Sequence, residues 1–131
     1  MCLRLAKNYV LKTAKNDITV FKHLRVMRDG TFQTTYQHFT VEIGKSYHST
    51  LKVESSPFSP YLPVLNLCDI GLHSFKSLSS VKKDVQIISP AGFEIVLVEC
   101  IIPKGSAYYI GKFGHYISYA SDSLKYIKII K

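Results

Sequence analysis

The chain has 131 residues, with 47% apolar and 20% charged side chains and a net charge of +8. That mixture supplies enough apolar material for one folded domain and excludes a disordered or low-complexity chain. No run is apolar enough over a sufficient length to cross a bilayer as a helix, and the surplus of positive charge favours anionic partners.

Residues 1–16, "MCLRLAKNYVLKTAKN", place Leu3, Ala6, Tyr9, Val10 and Ala14 near helical spacing. This predicts a basic N-terminal helix or irregular arm ahead of a β-rich body over 17–131, the two forming a single domain 1–131. Polar residues interrupt the apolar stretch and no small-residue cleavage site follows, so no signal peptide is expected and the expected compartment is a cytoplasm. Residues 1–28 carry seven Lys or Arg against Asp17 alone. Such a field suits nucleotides, nucleic acid or an acidic protein face.

From Asp17 the pattern changes. "ITVFKHLRVM" alternates, with Ile18, Val20, Leu24 and Val26 on one face and only Lys22 interrupting that face. This predicts a strand. Asp29-Gly30 then supplies a hairpin turn, because both residues tolerate positive φ, and "FQTTYQHFTVEIG" reads as the return strand. "ESSPFSPYLP" holds three of the five prolines and predicts a surface loop, suited to a lid. After a turn at Gly71, a helix is expected over about Ser74 to Lys83, then strands at "VQIIS", "FEIVLVECIIP", "YYIG", "YISYAS" and "LKYIKII". Residues 93–102 are apolar on both faces, as a central strand covered on each side must be. The expected fold class is α+β: mainly antiparallel sheet with one or two short helices. An exposed edge strand in such a sheet would allow a homodimer.

"GSAYYIGKFG" has the glycines and lysine of a phosphate loop but not the spacing. Five residues separate Gly105 from Gly111 where four are needed, and Phe113 stands where a Ser or Thr must meet magnesium. "PKGS" reads instead as a turn, and "GKFGH" as a second one. Cys2, Cys68 and Cys100 form no CxxC pair; Cys68 and Cys100 suit small buried hydrophobes, with a Cys68–His73 nucleophilic pair as the reactive alternative. The five histidines show no metal-ligand spacing, and no metal site is assigned. His73 stands out because it follows Gly71 at a strand end. Tyr108, Tyr109, Tyr116 and Tyr119 offer stacking surfaces beside Lys104 and Lys112, although tyrosine is equally a good strand former.

Two resemblances follow. "VFKHLR", "VEIGKSY", "CDIGLHSF", "VECIIPKGSAYYIG" and "YAS" occur in the order found in small uncharacterised bacteriophage and Bacteroidetes-type proteins, and residues 18–130 resemble that family, which brings no activity with it. Residues 70–130 more faintly resemble the C-terminal half of ADP-ribosyltransferases. There His73–Ser77 would take the place of the Ser-Thr-Ser strand, and "IIPKGSAYYI" looks like the Pro-Lys-Gly strand. The family's catalytic Glu-x-Glu has no counterpart, since no Glu follows Glu99 and only Asp122 lies nearby. The resemblance therefore implies a degenerate fold of that type that binds an anionic, nucleotide-like ligand without transferring ADP-ribose.

Together these features point to a non-catalytic binding protein, of phage type and so acting in a host cytoplasm. It would sequester a nucleotide-like anion or blunt an acidic host protein. Lys104, Lys112 and Arg25 would meet phosphate, Tyr108 or Tyr116 would stack, and His73 with Ser74 would read the ligand's polar edge. No catalytic residue or cofactor is assigned. Two alternatives stay open: a protein- or nucleic-acid-binding module driven by the basic N-terminal segment, without sequence-specific recognition, and an ADP-ribosyltransferase-type enzyme using Asp122 or Glu99 as its acid.

Overall fold

A computed structural model describes residues 3–56, 65–88 and 94–130. In chain order the elements are β1 (Leu3–Leu5), β2 (Lys12–Thr13), β3 (Ile18–Val26), β4 (Phe32–Thr34), β5 (Thr40–Val41), β6 (Ser46–His48) and β7 (Lys52–Ser56). There follow β8 (Leu65–Ile70), β9 (Leu72–Phe75), α1 (Leu78–Ile88), β10 (Ile95–Ile102), β11 (Ala107–Phe113), β12 (Tyr116–Ser121) and β13 (Ser123–Ile129).

Every strand pair among the described residues is antiparallel, and the main path runs β6-β13-β10-β3-β9-β12-β11-β1-β8-β7. β6 and β7 terminate opposite ends of that path yet are consecutive in the chain. The residues between His48 and Lys52 reach no more than ~15 Å at 3.8 Å per step. The sheet therefore has to curl until its ends approach, and it forms a half-barrel. β4 and β5 make a small hairpin attached to β3.

Alternation along the central strands divides the apolar residues between the two faces. Val20, Leu24, Val98, Cys100, Ile102, Leu124 and Tyr126 fill one cluster on one face. Phe21, Phe75 and Leu97 pack on the other, where α1 adds Leu78, Val81 and Val85. β10 lies between β3 and β13 and gives Val98, Cys100 and Ile102 to the first cluster and Leu97 to the second, which is why it is apolar on both sides.

α1 starts where Ser77 Oγ accepts the Ser80 backbone N–H at 3.2 Å, an N-cap bond that satisfies one of the free donors of the first turn. The helix thus begins four residues later than expected and runs on through Val85–Ile88. Ser74 belongs to β9, and of the strand expected at "VQIIS" the described residues Val85–Ile88 are helical. The β propensity of Val85 and its neighbours gives way to burial, because Leu78, Val81 and Val85 recur at helical spacing and close over the sheet.

Three further expectations are corrected. Residues 3–5, expected as helix or arm, are a strand inserted between β8 and β11, with Leu3 and Leu5 buried against Cys68 and Ala120. The return strand after Gly30 is broken: β4 ends at Thr34, residues 35–39 loop out through His38 at φ 60°, and β5 resumes at Thr40. Gly111 is not in a turn; it lies within β11, where a Cβ would stand 2.4 Å from the Arg4 carbonyl oxygen. The turn expected from "PKGS" is present, closed by Ser106 N–H to the Pro103 carbonyl at 3.0 Å. In the proline-rich stretch, Glu54–Ser56 end β7, and the lid expected beyond them lies outside the described residues.

Candidate functional site

β3 carries a lysine where its pattern calls for an apolar residue, and the structure shows what stands around it. Lys22 sits between Val20 and Leu24 on the face that builds the largest cluster, and it is only 9% exposed. Among the described residues its ammonium has no hydrogen-bond or ion-pair partner. Burial lowers its pKa from 10.5 to about 8, with Cys100 opposing the shift. Loss of hydration disfavours the charged form by more than Cys100 offsets.

Lys22 borders a cavity of about 520 Å³. β6 and the link to β7 supply Tyr47, His48 and Ser49, and the β4–β5 hairpin supplies Thr34, Gln37, Phe39, Thr40 and Val41. Asp69, Ile70, Gly71 and Leu72 close the side where β8 turns into β9, and Tyr126 of β13 completes the wall. Tyr47 meets Tyr126 edge-to-face at 5.6 Å. Asp69 Oδ1 is buried and has no hydrogen-bond partner among the described residues.

Between the two faces lies a recess of about 20 Å³ that Lys22 shares with Thr34, Thr35, Gln37 and His73 and with His23, Tyr36 and Phe75 of the α1 side. That volume admits roughly one water molecule. His73 Nε2 donates to the Cys68 carbonyl at 3.0 Å, which fixes the tautomer and leaves Nδ1 as a lone-pair acceptor. Nδ1 is buried without a partner. Burial lowers the imidazole from 6.5 to about 4; the Cys68 hydrogen bond opposes the shift and the Lys22 charge adds to it. His73 is therefore neutral near pH 7.

A second polar group lies under α1. His23, one residue on from Lys22 and so facing the opposite side, donates through Nε2 to Asp84 Oδ2 at 2.7 Å. Its Nδ1 accepts from the Thr35 hydroxyl at 2.7 Å. The Tyr36 hydroxyl donates to the same Asp84 oxygen, and burial together with that bond raises its pKa, so it stays protonated. A hydroxyl, an imidazole and a carboxylate stand in a row, but the carboxylate belongs to a helix packed on the sheet, and both imidazole nitrogens and Asp84 Oδ2 are engaged in holding it there.

The residues expected from the sequence to form one binding site are dispersed. His73 and Ser74 are both buried on β9 and face opposite sides, and only His73 reaches the Lys22 recess. Lys104 is exposed in the β10–β11 turn, where its backbone N–H donates to Asp17 at 2.8 Å. Lys112 is exposed on β11 opposite Arg4. Tyr108 packs edge-to-face on Tyr119 at 5.7 Å, and Tyr116 packs on Phe75 across the other face of the sheet. Arg25 is half-buried near the far end of β3. The link between Cys68 and His73 is a hydrogen bond from the imidazole to the Cys68 backbone carbonyl rather than to its thiol, and Cys100 is, as expected, a buried thiol, pushed up to about 12 by desolvation.

Lys22, Asp69 and the tyrosines at 47 and 126 were not expected in the site. One signal was legible: a lysine breaking the apolar face of an otherwise alternating strand. Tyr47 and Tyr126 gave none, since their meeting depends on the curl of the sheet.

No protein-family model, curated protein or solved structure matches the chain. Among the described residues no three His, Cys, Asp or Glu side chains gather as metal ligands, and no helix is long and apolar enough to cross a membrane.

Proposed function

We propose that the chain is a non-catalytic binding protein for a small anionic molecule, held in the half-barrel cavity with its charge against Lys22. One observation carries the reading: a buried ammonium with no ion-pair partner among the described residues borders a cavity large enough for a ligand. A buried charge of this kind destabilises the protein until an opposite charge reaches it. An anion entering the cavity supplies that charge, so binding energy is concentrated at one atom. The volume falls within the roughly 300–1,000 Å³ usual for small-molecule sites, and Tyr47 with Tyr126 gives an aromatic wall for a base or other ring.

The nucleotide-like ligand implied by the resemblance to ADP-ribosyltransferases fits this cavity in charge and size. The enzyme alternative has less support. Asp122 spends Oδ1 on the Ala107 backbone N–H at 3.1 Å. Glu99 lies on the face of β10 opposite Cys100 and so away from the cavity. In this reading a phage-type protein removes a charged signal by holding it.

Calorimetric titration tests it, using NAD, ADP-ribose, cyclic nucleotides, aromatic carboxylates and short oligonucleotides against the full chain and its Lys22→Met variant. The expected result is one saturable ligand whose binding is lost in Lys22→Met and kept in Lys104→Ala. A blank panel, or binding that ignores Lys22, would overturn the reading and turn the search to acidic protein partners.

A further inference from the structure

We infer that Lys22 binds its ligand covalently, as an imine between Nζ and the keto carbon of a 2-oxo acid. The inference rests on the cavity being the ligand site and adds the chemistry of that site.

Three features of the geometry carry it. First, a lysine that only neutralises an anion is best served by a solvated or ion-paired ammonium. Lys22 is instead buried among Val20, Leu24 and Cys100 with no carboxylate at ion-pair distance among the described residues. That is the environment in which an amine is held as a nucleophile. Second, a 2-oxo acid presents a carboxylate one bond from its electrophilic carbon. The charge that draws the ligand toward Lys22 therefore delivers the carbonyl to the same nitrogen, and the apolar wall of Val41, Leu72 and Tyr126 accepts the rest of the molecule. Third, condensation releases one water, and a recess of about 20 Å³ for one water adjoins Lys22. His73, a neutral imidazole with an unpartnered Nδ1, is among the residues that line it.

The step balances without an oxidant or reductant. The neutral amine's lone pair forms the C–N bond while the C=O π pair moves to oxygen, giving a carbinolamine once a proton passes from nitrogen to oxygen. Loss of the hydroxyl with the second amine proton releases water and leaves C=N. Protonation of that nitrogen restores a positive charge beside the ligand's carboxylate. The lowered basicity of Lys22 supports the step: at about pH 7.5 its neutral fraction exceeds that of a solvent lysine by roughly two orders of magnitude.

The test treats the full chain with glyoxylate, pyruvate or phenylpyruvate in the presence of cyanoborohydride, which reduces an imine to a stable secondary amine, and maps the product by peptide mass. In parallel, phenylacetate and phenyllactate, which have no keto group, are titrated as non-covalent analogues. The expected result is a single adduct on the Lys22 peptide, formed about tenfold or more faster than on any other lysine. Lys22→Met and Lys22→Arg, both checked for folding by thermal unfolding, should give none. Lys22-dependent binding of the analogues with no adduct from any oxo acid overturns the covalent step and leaves the binding reading standing. Labelling spread over exposed lysines with Lys22 untouched overturns the inference. A failure of every analogue and every oxo acid to engage Lys22 removes the binding reading as well.

Discussion

His23 and Asp84 are 61 residues apart in the chain, and their side chains meet at 2.7 Å beneath α1. Both are nearly inaccessible, and the Asp84 oxygen that accepts from His23 accepts from Tyr36 too. Truncating Asp84 leaves the buried His23 and the half-buried Tyr36 hydroxyl without an acceptor, so Asp84→Leu should destabilise the fold by about 3 kcal/mol. Replacing both members, as His23→Phe/Asp84→Leu, should cost less than the sum of the single changes, with a coupling of about 1.5 kcal/mol or more. Urea unfolding of the four proteins measures this, and additive losses would show that the pair does not act as a unit.

Gly111 makes a sharper steric prediction. A Cβ there would stand 2.4 Å from the Arg4 carbonyl oxygen and 2.9 Å from Leu3 Cγ. Gly111→Ala should therefore push β1 off β11 and cost about 2 kcal/mol or more, since backbone cannot yield as a side-chain tip can. Gly114→Ala, in an open turn at φ 61°, should cost only about 1 kcal/mol. Limited proteolysis near residues 6–11 should accelerate in the first variant and not in the second. The same packing bears on the charge-driven alternative. Deleting residues 1–15 would remove Leu3 and Leu5 from a buried cluster, so that truncation would test folding before it tested charge.

The opposite fates of Gly105 and Gly111 show where sequence reasoning reaches and where it stops. Gly105 follows a proline and a lysine after an apolar strand, and that local chemistry alone specifies its turn. Gly111 is constrained by Arg4, more than a hundred residues earlier, and no local pattern announces such a neighbour. The same division holds elsewhere. β3, β10 and the Asp29-Gly30 turn were legible because alternation and turn residues are local. The break after Thr34 and the helicity of Val85–Ile88 depend on what packs against them. The site was the least legible part: His73 stood out as a polar residue at a strand end and proves to be buried, but Lys22 was visible only as an irregularity. Its cavity exists because β6 and β7, at opposite ends of the sheet, are neighbours in the chain.

His73 should leave a mark on acid stability. Its folded pKa of about 4 lies below the unfolded 6.5. Between those values the unfolded chain binds the proton and the folded one does not, so stability falls as pH drops from 6.5 toward 4. The fall amounts to about 3 kcal/mol at most, at 1.36 kcal/mol per pKa unit. His73→Gln retains a donor for the Cys68 carbonyl and lacks the titration. Unfolding midpoints across pH 4–7 should therefore converge as the pH falls, the wild type losing stability that the variant keeps. Parallel curves would place the acid sensitivity elsewhere.

Lys22 predicts a trade between stability and binding. Its folded pKa of about 8 is below the unfolded 10.5, so the burial penalty is complete below pH 8 and disappears as pH rises toward 10.5. The wild type should accordingly gain stability across that interval, by as much as about 3 kcal/mol. Lys22→Met removes the charge and keeps an unbranched side chain one atom shorter. It should be more stable than the wild type at pH 7, approach it near pH 10.5, and bind no anion at either. Thermal unfolding at the two pH values measures the first part, and calorimetry with the best ligand of the panel measures the second. A variant less stable than wild type at pH 7 would mean that the ammonium already has a partner, and the cavity would lose the feature on which its assignment rests.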